Sequence, residues 1–381
     1  MERRKFILTS TLTAIAVLLQ CKSKTNKTNS VDGYFASLEY DILYWIESVR
    51  YKKDGWGRFK YNIHMYRDYG LESSAFAIQL LNKFGELDSI SDKQIDEAIS
   101  FFMSCLDLED GFFKDPLLSV EDKVSEKHSW EHVWAHMSGV STSALKLMGK
   151  TDLPKKESPP FADLRKVDPE EWLLSLPWEN PWMEAEHLTR VVKWYWNQLP
   201  EEQRTANEPK TRELLDAFEK HILDPKTGMP TMGGCSSRNV AMAGAFKAYG
   251  SYLAIGRPIP YAEKAMDFVL DLQRKDGAFG ENDDPQPLTI NWDSMWDIRV
   301  LNNQLKGSYR MKDIQDAGNR QAEYLLKVHR KPDGGFSFYP DYCLPVHNSV
   351  RISDKKPESD SLGIIMAVQC MEYADEWNAM K

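Results

Sequence analysis

The chain reads as an all-α protein, a six-hairpin α/α toroid of the (α/α)6 barrel type, on three observations. An Asp-Gly-aromatic turn recurs along it, apolar residues between the turns fall at helical spacing, and the helix after each turn is rich in small residues. No long alternating pattern of the kind a strand needs is present.

The turns are Asp54-Gly55-Trp56-Gly57, Asp110-Gly111-Phe112-Phe113, Asp276-Gly277-Ala278-Phe279-Gly280 and Asp333-Gly334-Gly335-Phe336-Ser337, with a weaker Asp224-Pro225-Lys226-Thr227-Gly228-Met229. Their spacings are 56, 114, 52 and 57 residues, and 114 is twice 57. A degenerate copy is therefore expected near position 167, where the Pro- and Trp-rich segment from Val167 to Trp182 lies. Six repeats follow. In each, glycine tolerates the positive φ needed where a helix ends, and the aromatic that follows pins the loop.

Before a turn stands an amphipathic helix, as in Tyr261 to Gln273 and Ala317 to His329. After it comes the small-residue helix: Glu72 to Leu81, Ser138 to Met148, Ser237 to Tyr252, Asp360 to Tyr373. Ala75, Ala77, Ala243, Gly244, Ala245, Gly363 and Ala367 suit crowding in an inner ring. Hairpins of this size cannot bury two faces alone and must stack. The first helix, about Gly33 to Val49, has no predecessor and the last no successor, so the two are expected to pair and close the ring.

The start of the chain is expected to be a leader. Arg3, Arg4 and Lys5 precede an apolar run from Phe6 to Leu19 that ends at Cys21, the pattern of a bacterial lipoprotein signal, with Gln20 where a small residue is usual. Residues 1–20 are then the signal peptide, 21–32 a flexible tether lipidated on Cys21, and 33–381 a single toroid domain. This places the protein in the outer membrane, at the cell surface or in the periplasm, with the membrane as a partner through the lipid. The chain has 48 basic and 57 acidic residues; cleavage before Cys21 leaves 45 and 56, a net charge of −11. That balance excludes a nucleic-acid partner. Cys105, Cys235, Cys343 and Cys370 show no metal-site spacing and read as packing residues. No cofactor or metal is called for.

The Lys275-Asp276-Gly277-Ala278-Phe279-Gly280 and Lys331-Pro332-Asp333-Gly334-Gly335-Phe336 turns resemble the repeats of squalene/terpene cyclases and protein prenyltransferases. The likeness concerns the scaffold. The same toroid is used by many polysaccharide lyases and glycoside hydrolases. Cyclase chemistry would need an Asp-x-Asp-Asp or Asp-rich cluster, and Asp283-Asp284 matches neither; Cys343, His347 and Asp360 loosely echo the zinc ligands of prenyltransferases. That class is placed last.

In such a ring the loops entering the inner helices converge on one mouth, where Glu72 and His136 are among the candidates. The residue types there fit β-elimination from a uronic-acid-containing poly- or oligosaccharide, expelling either a sugar or water. This reaction needs a base for the C5 proton, a group to neutralise the uronate carboxylate and an acid for the leaving oxygen. His187 or His347 is the expected base, Tyr309 the proton donor, and Arg238, Asn239 and Asn291 the neutralisers. Trp182 and Trp292 are expected to stack on sugar, with Asp293, Asp297, Arg351 and Asp360 as further binding residues. If the reaction is instead hydrolysis, which needs two carboxyls with one kept protonated, Asp293 and Asp297 come first. A non-catalytic glycan-binding lipoprotein is the remaining alternative. His128-Ser129-Trp130-Glu131-His132, with His136 beyond, has zinc-ligand spacing, but Trp130 and Trp134 make a half-buried structural helix the expectation.

Overall fold

A computed structural model describes residues 33–153, 161–204, 208–282 and 286–380. The leader, the tether with Cys21, and the Asp283-Asp284 pair lie outside the described residues. Six consecutive helix pairs build the molecule: α1 (Tyr34–Ser48) and α2 (Leu71–Lys83); α3 (Asp92–Ser104) and α4 (Trp130–Leu147); α5 (Pro169–Leu174) and α6 (Pro181–Gln198). They continue with α7 (Pro209–His221) and α8 (Arg238–Ile255); α9 (Ala262–Asp271) and α10 (Leu288–Gln304); α11 (Met311–Val328) and α12 (Ser361–Ala379).

The even-numbered helices form the inner ring of an α/α toroid. α2 lies beside α4, α6 beside α8, α8 beside α10, α10 beside α12, and α12 returns to α2. His132 of α4 faces Glu186 of α6 at 3.8 Å. Closure comes from the first helix as well: α1 lies on α12, and the Tyr34 and Phe35 N–H groups donate to Asp375 of α12 at 2.9 and 2.8 Å. The outer helices bury one stripe, as α9 does with Ala262, Ala265, Met266 and Val269. The inner helices are enclosed from several sides, so α12 is buried almost throughout. Small residues permit this: a Cβ on Gly244 of α8 would stand 2.7 Å from Pro181, the first residue of α6.

Each Asp-Gly turn is closed by one β-bridge, Arg50–Phe59, Leu106–Phe113, Asp224–Met229, Gln273–Phe279 and Arg330–Phe336. Gly277 takes φ +97°, and a side chain there would collide with the Arg320 carbonyl at 2.3 Å. A second device recurs: the next inner helix offers an acceptor to a loop N–H. Phe59 donates to Ser74 at 2.9 Å, Phe113 to Ser138 at 2.8 Å, Phe279 to Asn291 at 2.9 Å and Phe338 to Asp360 at 2.8 Å.

Two helices begin earlier than the sequence suggests. α4 starts at Trp130, not Ser138, because the Ser129 hydroxyl caps it by accepting the His132 N–H at 3.1 Å. α11 starts at Met311, not Ala317, after Arg310 reverses the chain at φ +51°. The Val167 to Trp182 segment holds the short α5 and the start of α6 at Pro181, so the turn between them falls at residues 175–180, later than the expected position near 167. A hairpin also enters between α11 and α12, β1 (Val346–His347) and β2 (Val350–Arg351). Asn348 and Ser349 turn it with φ +46° and +70°, the left-handed pair of a two-residue turn. Cys105, Cys235, Cys343 and Cys370 are unpaired. No helix among the described residues is long and apolar enough to cross a membrane.

Candidate functional site

At the end of the ring where the even helices begin, three elements bring titratable side chains together. Glu72 comes from the first turn of α2, His136 from α4, and His347 from β1. His347 Nδ1 is hydrogen-bonded to Glu72 Oε2 at 2.8 Å, and His136 Nδ1 lies 2.6 Å from Oε1. The two rings meet edge to face at 5.1 Å. Glu72 is 5% exposed. Burial alone would push its carboxyl up, but the flanking His347 and His136 imidazoles outweigh that and hold it well below the usual carboxylate range. Tyr61 lies behind this group, its ring 6.2 Å from that of His347, its hydroxyl buried without a partner.

A second charged group adjoins the first. His128 Nδ1 lies 3.1 Å from the hydroxyl of Ser349 in the hairpin turn, and its ring stacks on His132 at 4.5 Å. Burial pushes His132 down to about 3, so it is neutral. Beyond it stands Glu186, which bonds both Arg190 on its own helix and Lys247 of α8. Burial works against its charge, and Lys247 and Arg190 overcome this and keep Glu186 ionised. Lys247 and Lys127 lie 5.3 and 5.5 Å over the Trp182 ring. Three cations thus surround one carboxylate and one indole, a local positive excess in a chain of net charge −9. Along the partly exposed faces of the inner helices, Phe246 meets Trp292 and Trp296 at 5.0 and 4.8 Å, and Arg299 pairs with Glu376 at 2.9 Å.

Of the residues singled out from sequence, Glu72, His136, His347, Trp182, His128 and His132 are in these groups. Trp292 is on the inner wall, its Nε1–H donating to Gln369 at 2.5 Å. His187 is not with them: it sits about 100° around α6 from Glu186, bonded to Glu184 at 2.9 Å and against Phe161 at 3.9 Å. Tyr309 follows the C-terminus of α10, at the opposite end of the ring, and donates to Asp267 at 2.9 Å. Arg238 turns outward to Asp271 at 2.9 Å and over Phe268 at 4.8 Å. Asn239 accepts the Glu281 N–H at 3.0 Å.

Asn291 and Asp360 are scaffold pins. Asn291 is fully buried on the Phe279 N–H. Asp360 caps α12 through Gly363 and also accepts from Phe338 and Leu344. Burial raises Asp360 to about 6 despite those bonds. Asp293 and Asp297 are buried among the inner helices with no partner for any carboxylate oxygen, and burial pushes both well up. They point away from the face that carries Trp292 and Trp296. Arg351 is exposed on β2. Cys343 bonds Ser353 and Asp354 rather than joining His347 and Asp360.

Glu186, Arg190, Lys247 and Tyr61 escape a reading by repeat position. Two signals mark them in retrospect: Trp182, Glu186 and Arg190 follow at four-residue steps on one helical face, and Lys247 interrupts a helix otherwise small and apolar.

No family model matches the chain, and no curated protein matches it. Among solved structures it is similar to a type II terpene cyclase from Scytonema, solved in complex with geranylgeranyl dihydroxybenzoate. The identity is 16% over 91% of this chain and 82% of that one, with a TM-score of 0.30. A likeness this slight carries neither fold nor activity across.

Proposed function

We propose that this chain is an enzyme that acts on uronic-acid-containing poly- or oligosaccharides by β-elimination. The observation that supports it best is the pair of imidazoles held on one ionised carboxylate, Glu72, beside the Lys247–Glu186–Arg190 group and Trp182. A uronate stacks on Trp182 with its carboxylate toward Lys247 and Arg190, which stabilise the charge that builds there as the C5 proton leaves. His347, its Nδ1–H held by Glu72, takes that proton at Nε2. The C5–H electrons become the C4–C5 double bond, the C4–O bond breaks, and His136 returns a proton to the leaving oxygen. Glu72 supports one imidazolium before the step and the other after it, so its negative charge is used throughout.

Hydrolysis is less well supported. It needs a carboxyl kept protonated beside the scissile bond. Glu72 and Glu186 are held ionised, whereas Asp293, Asp297 and Asp360, pushed up by burial, sit within the walls. One observation favours a second reading, prenyl cyclisation: the clustered Phe246, Trp292 and Trp296 rings could stabilise a carbocation. With Cys21 lipidated as the leader suggests, the enzyme would act from the outer membrane or cell surface.

The test is incubation of the purified chain with a panel of polyuronates, their oligosaccharides and a linear prenyl substrate. New ultraviolet absorbance from a conjugated C4–C5 double bond is the expected result. Reducing ends without that absorbance would make the enzyme a hydrolase, a cyclised prenyl isomer would make it a cyclase, and binding without turnover would leave a glycan-binding protein.

A further inference from the structure

We propose that Glu72, His136 and His347 form a binding site for a divalent transition-metal ion of the zinc type, and that the ion is a reversible inhibitor of the elimination centre. Among the described residues this is the one group of three such side chains whose ligand atoms, one from each, all lie within 4.8 Å of one another. Two imidazole nitrogens and a carboxylate oxygen are a donor set that zinc and cobalt favour.

The observation that separates a metal site from an ordinary ion pair is the direction of the contacts. His136 Nδ1 approaches Glu72 Oε1 to 2.6 Å, yet the two are not aligned as a hydrogen bond, and neither atom has another partner although both are buried. Buried polar atoms of this kind are nearly always satisfied. A ring nitrogen and a carboxylate oxygen this close with no hydrogen bond between them are what a third atom bound to both would use. Ligands at about 2.0–2.2 Å from a tetrahedral ion stand roughly 3.3 Å apart. The contacts of 2.6 and 2.8 Å run to the two different oxygens of Glu72, so an ion would part ring from carboxylate by under about 1 Å and draw together, by side-chain rotation, three ligand atoms that now lie within 4.8 Å of one another. The supports are in place: Glu72 sits in the first turn of a buried helix, and the hairpin carrying His347 is tied down by Ser349 to His128 and by a bridge from Val350 to Lys123.

The regulatory consequence rests on the elimination reading. When Nδ1 of His347 carries a proton bonded to Glu72, Nε2 holds a lone pair and can act as a base. When Nδ1 binds the ion, the ring proton moves to Nε2, which then donates and no longer accepts. Metal and substrate proton thus compete for the state of a single ring.

The full chain, stripped with a chelator, should bind a single equivalent of Co2+ and develop the ligand-field bands of a four-coordinate ion. Glu72→Gln and His347→Gln, each removing a ligand, should weaken binding by more than the roughly 10–100-fold that loss of an outer-shell partner costs. His187→Gln, outside the group, should leave it unchanged. Absence of bands in the unaltered protein would overturn the site, as would equal binding by His347→Gln that remains folded by circular dichroism. Added Zn2+ should suppress elimination and a chelator restore it; loss of activity on chelation would overturn the inhibitory role. Metal binding with no elimination in either state would sink the functional reading alone.

Discussion

Replacing Glu72 by Gln keeps the shape of the side chain and removes its charge. In the native protein each carboxylate oxygen faces one imidazole, at 2.6 and 2.8 Å, in a position 5% exposed. An amide cannot serve both rings alike. Its oxygen accepts from one Nδ1–H, while its NH2 forces the other ring to present a lone pair at Nδ1 and so to carry its proton at Nε2. One imidazole is then locked in the wrong tautomer, a fault that costs about 10²–10⁴-fold in turnover where an imidazole is positioned by a carboxylate. The His347 hydrogen bond to the charged carboxylate contributes about 1.5–3 kcal/mol, and its lost charge assistance is partly offset because no carboxylate need be desolvated; a net loss of about 1–3 kcal/mol at neutral pH follows. The acid limb should change as well. Burial raises and the two imidazoles lower the Glu72 carboxyl, leaving it below its ordinary 4.5, so it contributes stability above pH 4.5 that is lost as the pH falls further. The variant should lack that part of the slope. Urea melts from pH 3 to 7 and initial rates of elimination read both effects. Unchanged turnover together with an unchanged acid slope would refute the role given to Glu72.

Three further outcomes are expected. Asn291→Ala strands the buried Phe279 N–H and should cost about 1–3 kcal/mol in urea melts while leaving turnover per folded molecule unchanged; a large fall in turnover would restore the neutraliser role. His329, fully buried, is pushed by burial from 6.5 down to about 4, so the unfolded chain takes up a proton first and stability falls as the pH drops from 6.5 to 4. His329→Asn should flatten that window by about 3 kcal/mol, and an unchanged profile would count against it. Trp182→Ala should raise KM about tenfold with a smaller change in kcat, since its ring binds ground state and transition state alike; a kcat-dominated loss would contradict a stacking role.

The ring was legible because its cause is local. Glycine at positive φ and an aromatic after it recur at nearly fixed intervals, and the doubled interval pointed to the segment that holds α5, although its turn falls later than the interval places it. The site was legible only in part. Repeat position identifies which end of a helix is at the mouth but not which way a side chain points. Thus Asn291 and Asp360 stand at the starts of inner helices yet turn back to hold loop N–H groups, and Arg238 turns outward to α9. Glu186 and Lys247, further along their helices, meet between the neighbouring inner helices α6 and α8, a contact between residues 61 apart in sequence that no local pattern encodes. His347 owes its place to a two-residue turn set by Asn348 and Ser349, which no repeat announces.

The most direct measurement is a mass balance on a purified uronic-acid tetrasaccharide digested by the intact chain. Elimination of a sugar adds nothing, so the product masses should sum to that of the substrate; loss of water instead gives one product lighter by a water. Products that together exceed the substrate by one water would mean hydrolysis, and His347 as a base at C5 would be wrong.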